Sequence, residues 1–498
     1  MTSAIRPHGR GGRRGPNLKT PGRTPEVLES LPIRCFNTDT NVCERFPEDE
    51  SVICRYPKTN QPTADRLSGR FVPMLISAIS LAAAAAVSAD GTAVADEIGT
   101  PAERAQRPLM HFRVLWMHDP ATEAVVSWST LDPGSDHRVY FDTESHDGKP
   151  DAYAHTARSI RSGRYTMLNS DAGTPPAHYH HVHLRDLPPD TTIYFTIASD
   201  DLVSREFHFV TAPDEDRPLK VLFGGDSRRP PDLPEVHAKR REVNRLIASL
   251  AEEHPDILAF CHGGDYCSRA QWRFMTDWLS DHELTITGDG RILPIIPARG
   301  NHDREIVFEE MFFWPERSHD YYYSTHLSPT SVVVTLNTEI SMGGDQRKWL
   351  AAELERLRAE PGKTILVQYH VPAYGSVKSF AQGAPQRQYW VPLFEKFQVD
   401  LVAESDHHSL KRTLPIYQGS HDPERGIIYI GDGGLGVPQR VTDPTRWYLQ
   451  PPGMATSAFH VHIITFSGDA ITAEAIGLGR EVLDEVTIES KQLAATGR

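Results

Sequence analysis

The spacing of apolar residues divides the chain into two patterned regions. Between residues 110 and 213, short segments alternate apolar with polar positions, which is the period of a half-buried strand. The candidate strands are Phe112–Trp116, Ala124–Trp128, His137–Phe141, His178–Leu184, Thr192–Ala198 and Glu206–Thr211. Turn-forming residues at 132–136 and 187–190 separate some of them. This region is therefore predicted to form an all-β sandwich of about 100 residues.

Beyond residue 217 strand-like runs alternate with segments whose apolar residues repeat at helical spacing. The strand-like runs are Lys220–Phe223, Ile257–Phe260, Ile292–Ile296, Val332–Leu336, Thr364–Gln368, Leu401–Ala403 and Ile427–Ile430. The helical repeats are Val236, Val243, Ile247 and Leu250, then Leu350, Leu354 and Leu357. Alternating β and α segments predict a layered α/β domain over residues 217–478. We expect a linker at 213–216 and a polar tail after about residue 480.

Composition indicates a folded, soluble protein whose charge is unevenly distributed. The chain has 498 residues, 39% hydrophobic and 24% charged, and a net charge of −14. An acidic chain lacks the basic face that nucleic-acid phosphates require, so we expect no nucleic-acid scaffold binding. The first 70 residues instead hold 12 Lys and Arg against 8 Asp and Glu, are rich in Gly and Pro, and show no period. This composition predicts a disordered basic leader over residues 1–70.

An uncharged apolar segment, residues 71–89, follows the leader, with Arg66 and Arg70 before it and Ala93-Val94-Ala95 after it. A basic flank, an apolar run and a small-residue site are typical of a secretory signal, so we predict a signal peptide over 71–95. Its position within the chain has two explanations. Either translation starts near residue 66 and the leader is not made, or the segment is an uncleaved anchor, since about 20 apolar residues span a bilayer. Both explanations predict an exported protein, periplasmic or secreted, which contacts a membrane only if the segment stays uncleaved.

Five cysteines are too few for a disulfide scaffold. Cleavage after Ala95 would remove Cys35, Cys43 and Cys54 and leave Cys261 and Cys267. An exported compartment permits this pair to form a disulfide, and the spacing allows one without requiring it.

Polar side chains follow five of the predicted strands in the second region, at the point where each strand ends. The sequences at these points are Gly224-Gly225-Asp226, Cys261-His262-Gly263-Gly264-Asp265, Gly300-Asn301-His302-Asp303, Tyr369-His370-Val371-Pro372 and Asp406-His407-His408. Loops that leave the carboxyl ends of strands meet at one edge of an α/β sheet, so we expect these groups to converge. Carboxylate, amide and imidazole donors form metal sites, and a carboxylate shared between two ions allows a two-metal centre.

The order of these motifs resembles the calcineurin-like metallophosphoesterase superfamily, whose signature runs Asp-x-His, Gly-Asp, Gly-Asn-His-(Asp/Glu), a lone His and Gly-His-x-His. The preceding region resembles the fibronectin-type-III-like domain of the purple acid phosphatase group, notably at Trp128 and Phe209–Pro213. The resemblance covers about residues 110–478. It implies a four-layer α/β metallophosphoesterase sandwich preceded by an all-β sandwich.

The resemblance also implies a role for each matching residue. The implied metal ligands are Asp226 and His408 for a first ion, Asp265 bridging both ions, and Asn301 and His370 for a second. His302 would contact the phosphoryl oxygens and protonate the leaving group, with Asp303 orienting it. One or two ions, with iron, zinc or manganese expected, would activate the water that attacks a small phosphate ester.

The chain departs from the family pattern at three positions. Arg228 replaces the His, or Gly, of the first motif, and a guanidinium stays protonated and cannot bind a metal. It either binds phosphate as part of the catalytic site or forms a salt bridge with Asp226 or another acid. Ser268 stands where the purple enzymes have their iron-binding Tyr, with Tyr266 next to the Asp instead, so we predict no tyrosinate colour. Asp406 replaces the first His of the last motif as a candidate ligand of the second ion. Together these changes predict one secure ion with a weak or absent partner.

Four other features favour structural roles. The histidines at 178, 180, 181 and 183 are expected to have a structural or surface role, although His181 and His183 also suit a metal. Tyr321–Tyr323 are expected to pack in the interior, and Lys239–Arg241 are expected to be solvated on a helix. Gly431–Gly434 are expected to form a tight turn.

The sequence thus predicts an exported, metal-dependent phosphoesterase acting on phosphomonoesters. Two alternatives stay open. One is a phosphodiesterase or nucleotidase on the same scaffold. The other is a degenerate member that binds phosphate or a partner without turnover, an interpretation that Arg228 and Asp406 favour.

Overall fold

The computed structural model describes residues 108–168, 172, 177–228, 234–315 and 320–490. The predicted leader and signal peptide, and with them Cys35, Cys43 and Cys54, lie outside these residues. In the part of the chain that is described, no helix combines the length and apolar character needed to cross a membrane.

Strands occur throughout the described residues, whereas the α-helices occur in the second region alone. The strands are β1 (Leu109–Leu115), β2 (Ala124–Thr130), β3 (His137–Asp142), β4 (His155–Arg158), β5 (Arg161–Arg164), β6 (His178–Leu184), β7 (Thr192–Ser199), β8 (Leu202–Val203), β9 (Phe207–Val210), β10 (Leu219–Gly224), β11 (Ile257–His262), β12 (Ile295–Pro297), β13 (Tyr323–His326), β14 (Ser331–Thr335), β15 (Thr364–Gln368), β16 (Leu401–Ala403), β17 (Leu410–Arg412), β18 (Ile416–Tyr417), β19 (Ser420–His421), β20 (Ile428–Gly431), β21 (Met454–Thr456), β22 (His460–Ser467), β23 (Ala470–Gly477) and β24 (Val482–Glu489). The helices are α1 (Pro234–Glu253), α2 (Trp272–His282), α3 (Glu305–Met311), α4 (Gly344–Ala359), α5 (Ala384–Tyr389) and α6 (Val391–Lys396).

The first nine strands form the predicted β-rich region. Its two antiparallel sheets have the orders β1-β2-β6-β5 and β4-β3-β7-β8, and β9 also pairs with β7, along residues 192–195. Fully buried Trp128 on β2 links them, because its indole N–H donates to Ser199 Oγ on β7 over 2.9 Å. The large ring thereby fills the space between the sheets with its polar atom paired.

Strand β1 also joins this region to the rest of the molecule. It runs parallel to β12, where Trp116 N–H donates to Ile295 O over 3.0 Å, so one ten-stranded sheet crosses both regions. Buried Arg113 reinforces the junction by donating from Nε to Met311 O at the end of α3, 2.7 Å away. The β-rich region therefore shares a sheet and a hydrophobic core with the α/β region.

Two sheets packed face to face form the centre of the α/β region. One contains parallel β10, β11 and β12, and the other contains parallel β14, β15, β16 and β20. On β14, Val333 faces the space between the sheets, whereas Val332 and Val334 face the leucines of α4. Helix α1 covers the outer face of the first sheet through residues that include Val243 and Ile247. Because each strand buries both faces, its sequence is almost wholly apolar, and the layers run helix, sheet, sheet, helix.

The structure confirms the predicted fold class and most of the predicted strands, and it corrects the prediction for residues 482–489. Residues 482–489 were expected to lie in a polar tail but form β24, which pairs along the length of β23. Most side chains of β24 are exposed or half-buried, with Ile488 buried. An edge strand of this kind is held by its backbone ladder, so its side chains carry little apolar signal.

The basic run at 239–241 also differs from the prediction of a solvated face. Arg240 is 2% exposed and donates to Asp281 Oδ2 from Nη2 (2.5 Å) and to the carbonyl of Ser227 from Nη1 (3.2 Å). It lies on the inner face of α1, three and seven residues before buried Val243 and Ile247. The helical spacing therefore places this arginine on the buried face of α1, where Asp281 neutralises its charge.

The remaining structural expectations agree with the fold. His180 and His181 are buried and hydrogen-bonded to Thr130, Ser162 and Ser127, and His183 pairs with Glu123. Tyr321 and Tyr323 are buried, and Tyr322 packs against Trp349.

Cys261 and Cys267 are both buried free thiols, and burial raises the pKa of each.

Candidate metal centre

The carboxyl ends of five parallel strands bring the predicted ligands together. Asp226 follows β10, Asp265 follows β11, and His370 follows β15. One ligand atom from each of these three side chains lies within 4.8 Å of the other two, and all three residues are buried. The convergence expected from the strand order therefore exists in the fold.

Three oxygen donors surround Nε2 of His370 on one side of the centre. Its distances are 3.2 Å to Asn301 Oδ1, 3.3 Å to Asp265 Oδ1 and 3.8 Å to Asp406 Oδ1. These are the side chains assigned to the second ion. Three oxygens and one imidazole nitrogen suit a hard or borderline divalent cation.

Asp226 and His408 form the other side. Asp226 Oδ1 and His408 Nε2 lie 3.2 Å apart without the alignment of a hydrogen bond, and neither buried atom has another hydrogen-bond partner among the described residues. Buried polar atoms are rarely left in this state. Two orphaned donor atoms that face each other fit a cation between them.

Each of the three histidines of the centre has its Nδ1 atom beside a backbone carbonyl oxygen. The Nδ1 atoms of His302, His370 and His408 lie 2.9, 2.8 and 3.2 Å from the carbonyl oxygens of Ser268, Gly263 and Pro438. Because a carbonyl only accepts, each Nδ1 carries the proton and each Nε2 is directed to the centre, the arrangement usual for metal-binding histidine. His407 differs, since its Nδ1 accepts a hydrogen bond from the backbone N–H of Val377 over 3.0 Å. His408, rather than His407, is therefore the ligand candidate.

Electrostatics also favour a cation. Burial lowers the pKa of His370, but the carboxylates of Asp265, Asp226 and Asp406 outweigh burial and raise it to about 10. Burial raises the pKa of Asp226, yet the charges of His408 and His370 bring it below its usual value. Carboxylates thus dominate the potential at this point, and the residues present fit a divalent ion.

Tight loops hold the acidic ligands. Asp226, Asp265 and Asp406 have φ values of 60°, 61° and 74°, in the left-handed region that side chains rarely adopt. A Cβ on Gly433 would lie 2.2 Å from Asp226 Oδ2, so glycine at this position lets the segment after β20 approach Asp226 closely. Strained loops that converge on one point are typical of functional sites.

Arg228 forms one of the two contacts predicted for it. Its Nε donates to Asp265 Oδ2 over 3.0 Å, and its backbone N–H donates to Asp265 O over 2.9 Å. The acid in the salt bridge is thus the candidate bridging ligand rather than Asp226.

Asp303 does not orient His302 as the resemblance implies. Its Oδ2 accepts the amides of Asp265 and Gly300 at 2.7 and 2.9 Å, and its Oδ1 accepts the amide of Tyr266 at 3.0 Å. Burial and the charge of Asp265 raise its pKa to about 7. Asp303 therefore holds two ligand loops together, whereas the carbonyl of Ser268 orients His302.

Tyr266 lies away from the centre. Its ring stacks on His262 with centroids 4.0 Å apart, and its hydroxyl donates to His262 O over 3.2 Å. Burial raises its pKa well above the usual tyrosine value. The phenol is held in a neutral, aromatic environment.

Sequence reasoning missed two residues that contact Asp406. Lys378 Nζ donates to Asp406 Oδ1 over 2.5 Å, and Gln382 Nε2 donates to Oδ2 over 2.8 Å. They follow His370 by 8 and 12 positions, Lys378 in a loop and Gln382 in a single 3₁₀ turn (Phe380–Gly383), where the sequence has no helical or strand periodicity. In the sequence, the one feature that could have indicated this contact is a lysine shortly after a predicted ligand.

A buried ion network beneath the centre was also missed. Lys411 donates to Glu404 Oε2 and lies 3.5 Å from Asp432 Oδ1, and all three side chains are fully buried. Asp432 Oδ2 in turn accepts the amide of Ser376 at 3.0 Å. The network ties the loop after β16 to the loops that follow β15 and β20.

Known proteins share this architecture. Residues 110–211 match the family described as purple acid phosphatase, N-terminal domain, and residues 235–410 match the calcineurin-like phosphoesterase family. An uncharacterized protein of Mycobacterium tuberculosis is 28% identical over 386 residues, which cover 66% of this chain and 69% of that protein. Purple acid phosphatase 18 of Arabidopsis thaliana is 24% identical over 340 residues, which cover 64% of this chain and 71% of the relative.

A solved structure has the same fold. Purple acid phosphatase PPD1 from yellow lupin (Lupinus luteus) seeds matches with a TM-score of 0.61 at 17% identity, and the match covers 76% of this chain and 74% of the lupin chain. The family matches cover the β-rich region and most of the α/β region. The chain therefore belongs to the calcineurin-like metallophosphoesterases, within the purple acid phosphatase-like group that carries a β-rich N-terminal domain.

Proposed function

We propose that this protein is an exported, metal-dependent phosphomonoesterase. The observation that carries the proposal is the convergence of Asp226, Asp265 and His370 within 4.8 Å, with Asn301 and His408 beside them. When bound, an ion of iron, zinc or manganese would supply an activated water and positive charge for the phosphoryl group. The residues would hold one ion securely on the His370 side and a second one weakly, if at all, on the Asp226 side.

His302 is the residue that moves a proton in this proposal. Because Ser268 O holds its Nδ1–H, Nε2 is directed to the centre and lies 3.9 Å from Asp265 Oδ2. Its side chain is 33% exposed, so a bound ester can reach it. A protonated Nε2 would donate to a phosphoryl oxygen and then to the leaving-group oxygen.

One observation favours the alternative of a degenerate member that binds phosphate without turnover. Arg228 and Lys378 each occupy an oxygen of a candidate ligand, Asp265 and Asp406 respectively. Protein cations that neutralise these carboxylates would lower the affinity for metal. The same cations would still attract a phosphate group.

Turnover of paired chromogenic substrates tests the proposal. We expect the purified protein, supplied with Mn²⁺ or Zn²⁺, to hydrolyse 4-nitrophenyl phosphate at least ten times more efficiently than its bis ester. Asp265→Ala should reduce kcat/KM at least 100-fold, and His302→Gln should reduce kcat 100-fold or more with little change in KM. Asp345→Ala, on the exposed start of α4, is the matched control.

The outcomes separate the three functions. A preference for the bis ester favours the phosphodiesterase alternative. Phosphate binding without hydrolysis of either ester, in a metal-loaded protein, supports the degenerate alternative and overturns the proposal.

Export is proposed on the sequence pattern at residues 71–95 alone. Expression of the full chain in a bacterial host should give a mature protein that begins at Asp96 in the periplasm or medium. Amino-terminal sequencing of the fractionated protein checks this. Retention of the intact chain in the membrane fraction would favour the uncleaved anchor.

A further inference from the structure

We propose that Lys378 is an internal competitor of the metal ion for Asp406 and thereby sets the metal affinity of the centre. The inference rests on the proposed function, because it concerns an ion held on the His370 side. Lys378 Nζ lies 2.5 Å from Asp406 Oδ1, the same oxygen that lies 3.8 Å from His370 Nε2. The Lys378 ammonium and an ion held by His370 would therefore bind the same oxygen, Asp406 Oδ1.

The other oxygen of Asp406 offers no alternative. Oδ2 accepts Gln382 Nε2 at 2.8 Å, and Asp406 N–H donates to Asp226 Oδ2 over 2.7 Å. The backbone carbonyl of Asp406 accepts Arg440 Nη1 at 3.2 Å. With the residue held at these points, Oδ1 is the atom that must change partner when an ion takes Asp406 as a ligand.

The backbone that carries Lys378 is fixed. The guanidinium of Arg446 donates to the carbonyls of Gly375, Val377 and Lys378. Its Nε lies 3.3 Å from Asp443 Oδ2, and the amide of Asp443 donates to Ser376 O over 2.8 Å. These hydrogen bonds fix the loop backbone in a position from which the Lys378 side chain contacts Asp406.

The side chain itself remains free to leave. It is 34% exposed, whereas Asp406 is 3% exposed. A lysine has four rotatable bonds, so its ammonium can move into solvent at the mouth of the centre while the backbone stays in place. An entering divalent ion would displace it through stronger attraction to the carboxylates, at the expense of the Lys378–Asp406 pair.

Metal titration tests the proposal with a readout independent of catalysis. Wild type, Lys378→Met and the control Lys348→Met, on the exposed face of α4, are titrated with Mn²⁺ by calorimetry, and bound metal is counted by mass spectrometry after dialysis. Lys378→Met should bind the His370-side ion at least tenfold more tightly with the same number of ions. Lys348→Met should match wild type. Circular dichroism checks that each variant is folded, and Lys378→Gln is the substitute if Lys378→Met is not.

Chemical labelling of the unmodified protein supplies a second readout. Metal saturation should raise the rate of reductive methylation of Lys378 at least threefold, with Lys348 unchanged. Equal metal affinity in wild type and Lys378→Met, or unchanged labelling of Lys378 on saturation, overturns the inference while leaving the proposed function intact. Failure of every variant, wild type included, to bind Mn²⁺ or Zn²⁺ overturns the proposed function as well.

Discussion

Nε of Arg228 lies 3.0 Å from Oδ2 of Asp265, so a protein cation shares the carboxylate that is best placed to bridge two metal ions. Asp265 is 1% exposed and Arg228 14%, and charges so shielded from water interact strongly. The oxygen that faces the guanidinium is less available to an ion on the Asp226 side. The Asp265 oxygen near His370, Oδ1, instead accepts the amide of His302 at 2.9 Å. The two sides of the centre are therefore unequal.

Arg228→His should convert this asymmetric centre into a two-ion centre. The substitution restores the Asp-x-His spacing at residues 226–228, removes the positive charge from Asp265 Oδ2 and adds an imidazole donor. We expect about one bound ion per chain in wild type and about two in the variant, counted after dialysis against Mn²⁺. Arg245→His, on the exposed face of α1, should bind as wild type does.

Two tightly held ions in wild type would contradict this prediction. That result would mean that the salt bridge of Arg228 with Asp265 does not measurably lower the affinity of the centre for the second ion.

The convergence of the candidate ligands could be predicted from the sequence, whereas the side chains that contact them could not. Apolar runs that end in Asp226, Asp265 and His370 mark buried parallel strands, and the geometry of a parallel sheet places their carboxyl ends together. Arg228–Asp265 and Lys378–Asp406 join segments 37 and 28 residues apart, and nothing in local periodicity encodes such contacts. Strand β24 escaped prediction for a related reason, since its stability lies in its backbone pairing.

The buried Lys411 network should contribute strongly to stability. Lys411→Met removes a cation that lies against both Glu404 and Asp432, which are fully buried. An uncompensated buried charge typically reduces the free energy of unfolding by about 3–5 kcal/mol. Urea denaturation measures the loss, and Lys411→Met/Glu404→Gln should recover part of it. A loss below about 1 kcal/mol would show that the network is dispensable.

The protein should lack the purple colour of its relatives when loaded with iron. By the resemblance, Ser268 stands at the position of a metal-binding tyrosine, and the Tyr266 hydroxyl donates to His262 O inside an aromatic cluster. Burial raises the pKa of Tyr266, which disfavours tyrosinate further. Visible absorption of the iron-loaded protein is expected to contain no tyrosinate-to-iron band, and Tyr266→Phe should leave the spectrum unchanged. A band that disappears in Tyr266→Phe would require Tyr266 to leave its stack on His262.

The β-rich region should lose stability in acid through His180. This side chain is fully buried, stacks on His137 with centroids 3.6 Å apart and is hydrogen-bonded to Thr130 and Ser162. Burial lowers its pKa to about 3, whereas a histidine in the unfolded chain titrates near 6.5. Between these values the unfolded state binds more protons than the folded state. The contribution of His180 is therefore complete above about pH 6.5 and falls as the pH decreases toward 3.

His180→Gln isolates this effect, because the amide retains hydrogen-bonding capacity but does not titrate. Between pH 6 and 4, the free energy of unfolding should decrease less steeply in the variant than in wild type, by about 1.4 kcal/mol per pH unit. Asp303 and Asp432, whose pKa values rise to about 7, act in the opposite direction but equally in both proteins, so they cancel in the difference. Urea titrations at several pH values give the two slopes, with exposed His421→Gln as the control. Parallel slopes for wild type and His180→Gln would show that His180 does not control the acid sensitivity of this region.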